Sequence, residues 1–190
     1  MRLILIDMKH NGQFGKERRI IEIGVSLLEE LAGQYKSNRI GILAQIINQP
    51  YEILDENWLN LARTNDILHK DKLSFECISN KLKVYFTNSI LIGFNLEKFE
   101  LPLLKKEFEL AGEAIESIQY FSIKDYLLNE YQIKATSLIE AIDILNIRTK
   151  IKSSLTTAQA VSLNLSLFNY IVKNNNFELN AYLKTYSFDK

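Results

Sequence analysis

The chain has one cysteine, two prolines and seven glycines in 190 residues. A lone Cys77 closes no intrachain disulfide, so nothing asks for an oxidising compartment, and a reducing cytoplasm is the simplest location. Scarce Pro and Gly exclude a collagen-like or low-complexity chain, and 47% hydrophobic with 24% charged residues excludes extended disorder. Long apolar runs are also missing. None approaches the ~20 residues of a membrane helix, and Met1-Arg2-Leu3-Ile4-Leu5-Ile6 meets Asp7 before it becomes a signal-peptide core. The expectation is a soluble protein with no membrane partner. Finally, neither sign of charge prevails, with 23 Lys and Arg against 23 Asp and Glu. No whole-molecule field attracts a polyanion, so a nucleic-acid surface would have to be local.

What is there reads as one α/β domain. Apolar runs of strand length at residues 2–7, 19–28 and 39–47 predict three successive strands in an antiparallel meander. After Pro50 the texture becomes helical: Phe75, Ile78, Leu82 and Tyr85 fall on one face behind a Ser74 cap, with Cys77 read as a packing residue. Ser89 to Gly93 reads as a short buried strand feeding a helix with Pro102 in its first turn and Leu103, Leu104 and Phe108 as its stripe. A strand near Ile118 to Ile123 precedes a helix from about Asp125, whose carboxylate suits the first turn. Ser137 and Glu140 have capping-box spacing. A final helix is predicted over 156–172, stopped by Asn174-Asn175-Asn176. Strands followed by alternating strand and helix predict a mixed sheet covered by helices.

Several stretches, taken in order, resemble the DEDD (DnaQ-like) 3'-5' exonucleases, most closely the proofreading epsilon-subunit branch associated with bacterial DNA polymerase III. Leu3-Ile4-Leu5-Ile6-Asp7 is similar to the family's first strand with its metal-binding Asp, and Arg19 to Val25 to its second strand. Asp66-Ile67-Leu68 and Phe75-Glu76-Cys77-Ile78 sit where the family has a turn and a helix. Gly93-Phe94-Asn95-Leu96-Glu97-Lys98-Phe99-Glu100-Leu101-Pro102 resembles the second motif, and Ser137 to Ala141 with Ser153 to Ala160 the run into the third. The resemblance covers about residues 1–172, leaving 173–190 as a C-terminal tail. It implies the ribonuclease H-like fold, a five-stranded mixed sheet flanked by helices.

The resemblance also implies five catalytic positions, and most are substituted. The family holds two divalent ions with an Asp and a Glu on the first strand, an acid closing the second motif and an Asp in the third, with a His or Tyr as base. The matching residues here are Asp7, Lys9, Glu100, Thr157 and, at the base position, Lys152. Asp7 and Glu100 are the metal ligands if any metal binds. Two acids and two lysines cancel, which leaves nothing to attract ions that need carboxylates to balance their charge. Strand alternation puts Lys9 on the face of Asp7, and an ammonium ~4 Å from a divalent ion costs roughly 8 kcal/mol at an effective dielectric of ~20. Lys9 is therefore expected to pair with Asp7, Glu100 or both. Lys152 would need to lose about three pKa units to act as a base, about 4 kcal/mol. No resident cofactor is expected; Mg²⁺ or Mn²⁺ belongs to the alternative in which Glu22 or Glu97 replaces a lost ligand.

The same substitutions make one rim basic, with Lys9, His10, Lys16, Arg18 and Arg19 beside the first strand and Arg148, Lys150 and Lys152 beside the third motif. Together with Asn95 and the stacking candidates Phe14, Phe94 and Phe99, this suits single-stranded DNA or RNA. The plainer reading is solvated charges and core phenylalanines. His69, without metal-ligand spacing to another donor, reads as a surface residue, and Trp58, Tyr51, Phe168, Tyr170 and Tyr182 as core or interface. Three functions stay open: an exonuclease-fold pseudoenzyme that binds nucleic acid or a polymerase-like protein partner, an active 3'-5' exonuclease with atypical ligands, and an interaction module without polynucleotide.

Overall fold

The computed structural model describes residues 1–10, 18–37, 43–46 (backbone), 73–149, 155–174 and 177–188. Strand β1 (Arg2–His10) lies inside the sheet, antiparallel to β2 (Ile20–Leu31) and parallel to β5 (Ser89–Gly93). Beyond β5 come β6 (Ser117–Ser122), parallel to it, and β7 (Lys184–Ser187), antiparallel to β6. On the other side, β3 (Gln34–Ser37) pairs with the end of β2 and β4 (Leu43–Ile46) with its start. The α/β mixed sheet expected from the sequence is present, with seven strands among the described residues in place of five. One extra strand arises because β2 continues to Leu31 and turns back through Ala32 and Gly33, both at positive φ, into β3. The other addition is β7.

Alternation sorts the core into two layers. Ile4, Ile6, Leu91 and Tyr120 face one cluster, completed by α1 (Phe75–Phe86) and α2 (Glu100–Leu110). Leu5, Ile90, Ile92 and Phe121 face the other, completed by α3 (Ile123–Tyr131), α4 (Leu138–Ile144) and α5 (Thr157–Asn174). On α1 the stripe Phe75, Ile78, Leu82 and Phe86 is buried, which turns Cys77 outward; it is exposed, not packed. Residues 177–188 belong to this architecture, since β7 pairs with β6 and Phe177 and Tyr182 join Tyr126, Phe121 and Phe168 in one aromatic cluster.

Caps set the helix starts. The Ser122 hydroxyl accepts from the Asp125 amide at the head of α3. Ser137 caps α4 as its spacing predicts, accepting from the Glu140 amide, while Glu140 reaches back one residue further to the Thr136 amide and hydroxyl. At α5 a full capping box forms between Thr156 and Gln159, each side chain accepting the other's amide. Its Thr-x-x-Gln spacing was readable in the sequence.

A buried ion pair joins α2 to β2. Glu107 is 1% exposed and takes Arg19 with both oxygens, at 2.9 and 3.0 Å, plus the Ile20 amide at 2.8 Å. Arg19 is thus part of the frame and leaves the basic rim. Asn164 on α5 is its opposite: fully buried, with neither amide atom hydrogen bonded. Replacing it by Leu removes an unpaid desolvation cost and should raise stability by about 1–2 kcal/mol, read as a higher urea midpoint; a lower midpoint would show that the amide is satisfied after all.

Candidate functional site

Asp7, Lys9, Glu100 and Thr157, the described positions expected to carry chemistry, meet where β1, β2, α2 and α5 adjoin. Asp7 and Lys9 lie two apart on β1, so they share a face. Opposite them on β2 stand Gly24, the partner of Asp7, and Glu22, the partner of Lys9. The ladder shifts register between Lys9 and His10, a bulge that bends the strand ends beside the site. Gly24 lets α5 descend: a Cβ there would lie 2.7 Å from the Thr157 methyl and 3.1 Å from Val161. The head of α5 therefore sits directly over the Asp7–Gly24 rung. Glu100, the first residue of α2, completes the group and acts electrostatically on Asp7.

Lys9 has a different partner from the one expected. Its ammonium pairs with Glu22 at 3.1 Å, in place of Asp7 or Glu100. Geometry decides this, because directly opposed residues on antiparallel strands have Cβ atoms ~5 Å apart, whereas Asp7 is a full strand repeat away on the same chain. Glu22 also accepts the Thr157 amide, at 3.1 Å. One carboxylate thus bridges the Lys9 ammonium on β1 and the head of α5. Glu22, considered from the sequence as a replacement ligand, serves a helix terminus, a role that no sequence signal announced.

Glu97, the other acid considered as a replacement ligand, is committed too. It pairs with Lys184 of β7 at 3.3 Å. Among the described residues no three His, Cys, Asp or Glu side chains cluster closely enough to hold a metal ion. The donors present do not fit a two-ion centre: Asp7 and Glu100 are there, but a lysine stands at the second position and a threonine at the last.

What remains is a pair of partly buried acids. Burial raises the Asp7 carboxyl well above its ordinary range, Glu100 and Glu22 add to this, and Lys9 opposes it. Glu100 is pushed up to about 7, chiefly by burial, and its Oε2 has no hydrogen-bond partner. Thr157 is fully buried with its hydroxyl likewise unpartnered.

These shifts fix a pH dependence. A folded-state pKa of about 7 against 4.5 unfolded means that the native protein keeps a proton the unfolded chain releases. The associated stability is complete below the unfolded value and is lost as pH rises through the folded one, at most about 3 kcal/mol at ~1.4 kcal/mol per unit. Urea denaturation should therefore show a lower free energy at pH ~8 than at ~5, and Glu100→Gln should flatten the difference. A variant with the parental slope would place the charge in solvent.

Around the site, Phe99 precedes α2 and is 36% exposed, Asn95 is half-buried, and His10 ends β1 half-buried. Phe94 is core, 7% exposed, with the Lys124 ammonium 5.9 Å from its ring centroid. Arg148 is exposed and lines a cavity of about 500 Å³ with Ile139, Ile142 and Asp143. Lys150, Lys152, Lys16, Phe14, Tyr51, Trp58, His69 and residues 66–68 lie outside the described residues.

No family model and no curated protein sequence matches the chain. Solved structures do. A 3'-exonuclease engaged in 3'-end-specific recognition of a histone mRNA stem-loop superposes with a TM-score of 0.70 at 12% identity, over 91% of this chain and 82% of that one. The nuclease domain of 3'hExo, a DEDDh family member bound to rAMP, gives 0.65 at 13%, over 91% and 92%. S. pombe Pop2p in its Mg²⁺- and Mn²⁺-bound form gives 0.70 at 12%, over 95% and 87%. At such identities the likeness speaks for the fold, and the chain has the fold of the DEDD 3'-exonuclease domains.

Proposed function

We propose that this chain is an exonuclease-fold protein whose two-metal centre has been replaced by an internal salt bridge, and that it binds single-stranded nucleic acid without cutting it. The observation that carries this reading is the Glu22 bridge between Lys9 and the Thr157 amide. It ties β1 to the head of α5 with protein groups, two of the elements that the family resemblance joins through metal, and it places an ammonium on the metal face. The order of motifs from Asp7 through Glu100 to Thr157 supports an ancestry near the epsilon-type proofreading subunits, and the work of fold neighbours on RNA and DNA supports a polynucleotide ligand. The Phe99 ring beside the site offers a stacking surface worth about 1–3 kcal/mol per base.

The test is anisotropy of a labelled single strand, DNA and RNA in parallel, with EDTA or Mn²⁺. Binding should be indifferent to EDTA, should weaken as salt rises, and should leave the strand intact. Reversing the charge of Lys150 and Lys152 should lower affinity at least tenfold; an equal affinity at low salt would remove the basic rim from consideration.

A second reading, an active exonuclease with atypical ligands, is favoured by the buried, unpartnered Glu100 Oε2 and Thr157 hydroxyl, which a bound cation would satisfy. Mg²⁺-dependent degradation abolished by Asp7→Ala would establish it in place of the first.

A further inference from the structure

The segment between β5 and α2, residues 94–99, carries Asn95 and Phe99 and ends at Glu100. Its beginning is held twice. The Phe94 carbonyl accepts the Lys124 amide at 2.9 Å and the Ser122 hydroxyl at 3.4 Å. Leu96 is fully buried, folded back so closely that a Cβ on Gly93 would lie 2.6 Å from its Cδ2. Beyond Leu96 the chain comes out: Glu97, Lys98 and Phe99 are all exposed.

There it meets the C-terminal strand. The Lys184 ammonium of β7 reaches Glu97 at 3.3 Å and Asp125, in the first turn of α3, at 2.8 Å. Below this triad the Glu97 carboxylate also acts on the phenol of Tyr120, a β6 residue that pairs with Lys184 in the ladder and is 2% exposed. Lys184 is thus a pivot between α3, the sheet edge and the exposed half of the loop.

We propose that Lys184 is a positioning residue that holds the 97–99 turn, and with it Phe99, in the shape that receives a single strand. The role in binding rests on the function proposed above; the tether itself does not. Lys184 lies on an edge strand of the described sheet and needs no contact with the ligand to exert this effect.

The experiment uses the full chain with Lys184→Met, Lys184→Arg, and Lys83→Met as a control, since Lys83 makes a comparable surface pair with Glu113 at 2.9 Å. Two quantities are read: amide hydrogen exchange across 89–99, and affinity for a labelled dT oligonucleotide over a range of salt. Because both Lys184 pairs are partly exposed, the effects should be modest. Exchange at 97–99 should rise about threefold in Lys184→Met with 89–93 unchanged, affinity should fall about threefold, and Lys184→Arg and Lys83→Met should match the parent.

The slope of log affinity against log salt separates positioning from contact. It should be the same in parent and Lys184→Met, whereas a lysine that neutralises a phosphate takes ~0.7 from the slope on a single strand. Unchanged exchange at 97–99, or a slope reduced by that amount, overturns the proposal. A parent that binds no oligonucleotide overturns the nucleic-acid reading instead, and exchange at 97–99 then still decides whether Lys184 tethers the turn.

Discussion

Lys9→Glu combined with Thr157→Asp is expected to create Mn²⁺ affinity that the parent lacks. With those two changes the site regains carboxylates at positions 7, 9, 100 and 157, the set that the family resemblance implies. Glu22 complicates the design. It faces position 9 directly across the β1–β2 ladder, so the metal-free variant opposes two carboxylates, which destabilises the sheet, and loses the cation that neutralised Glu22. Mn²⁺ should relieve this. The variant is therefore expected to melt below the parent without metal and to recover with it. If Mn²⁺ reaches ~100 times its dissociation constant, the gain is about 2.7 kcal/mol, or roughly 5–10 °C for a chain of this size. The parent should show no such shift, and an equal Mn²⁺ response in the parent would defeat the pseudoenzyme reading. Adding Lys152→His supplies a neutral base near physiological pH. Trace degradation of single strands by this triple variant is a secondary readout, because a ligand misplaced by ~1 Å can cost on the order of 100-fold in rate.

Glu107→Ala is expected to be the most destabilising single change away from the site, at about 3–5 kcal/mol. Its carboxylate, 1% exposed, is shared between the Arg19 guanidinium and the Ile20 amide. Truncation leaves a charged group and a backbone donor without this partner where water reaches poorly. The value should be read from urea denaturation beside Lys83→Ala, whose pair with Glu113 is 37% and 25% exposed and should contribute at most about 1 kcal/mol. Arg19→Met with Glu107→Leu should recover most of the loss, since two apolar side chains remove both the charge and its counter-charge. A Glu107→Ala loss no larger than that of Lys83→Ala would mean that the pair is solvated. Because β2 begins at Ile20, this clamp also sets where the strand bearing Glu22 and Gly24 enters the sheet.

Amphipathic period carried most of the architecture in the sequence. The stripe at Phe75, Ile78 and Leu82, the apolar runs of β1, β2 and β5, and the Ser137 cap all appear as their spacing predicts, because burial of one face is a local property of the pattern. The ordered motifs at Asp7, Asn95 to Glu100 and Thr157 led to the right fold for the same reason: each is a short segment whose identity needs no knowledge of its neighbours.

What the sequence by itself determined, then, was most of the elements and, through the family resemblance, which positions to look for at the site. Only the tertiary structure decided who pairs with whom. Lys9 went to Glu22 because the antiparallel register, unbroken from Leu3 opposite Leu28 to Lys9 opposite Glu22, puts them face to face, which the composition of either strand alone does not fix. Arg19 became a buried anchor in place of a rim cation because α2 brings Glu107 to it from 88 residues away. Glu97 is held by Lys184, 87 residues further on, because β7 closes the edge beside β6. Charged side chains choose partners by distance and burial, and those are set by packing across the whole chain.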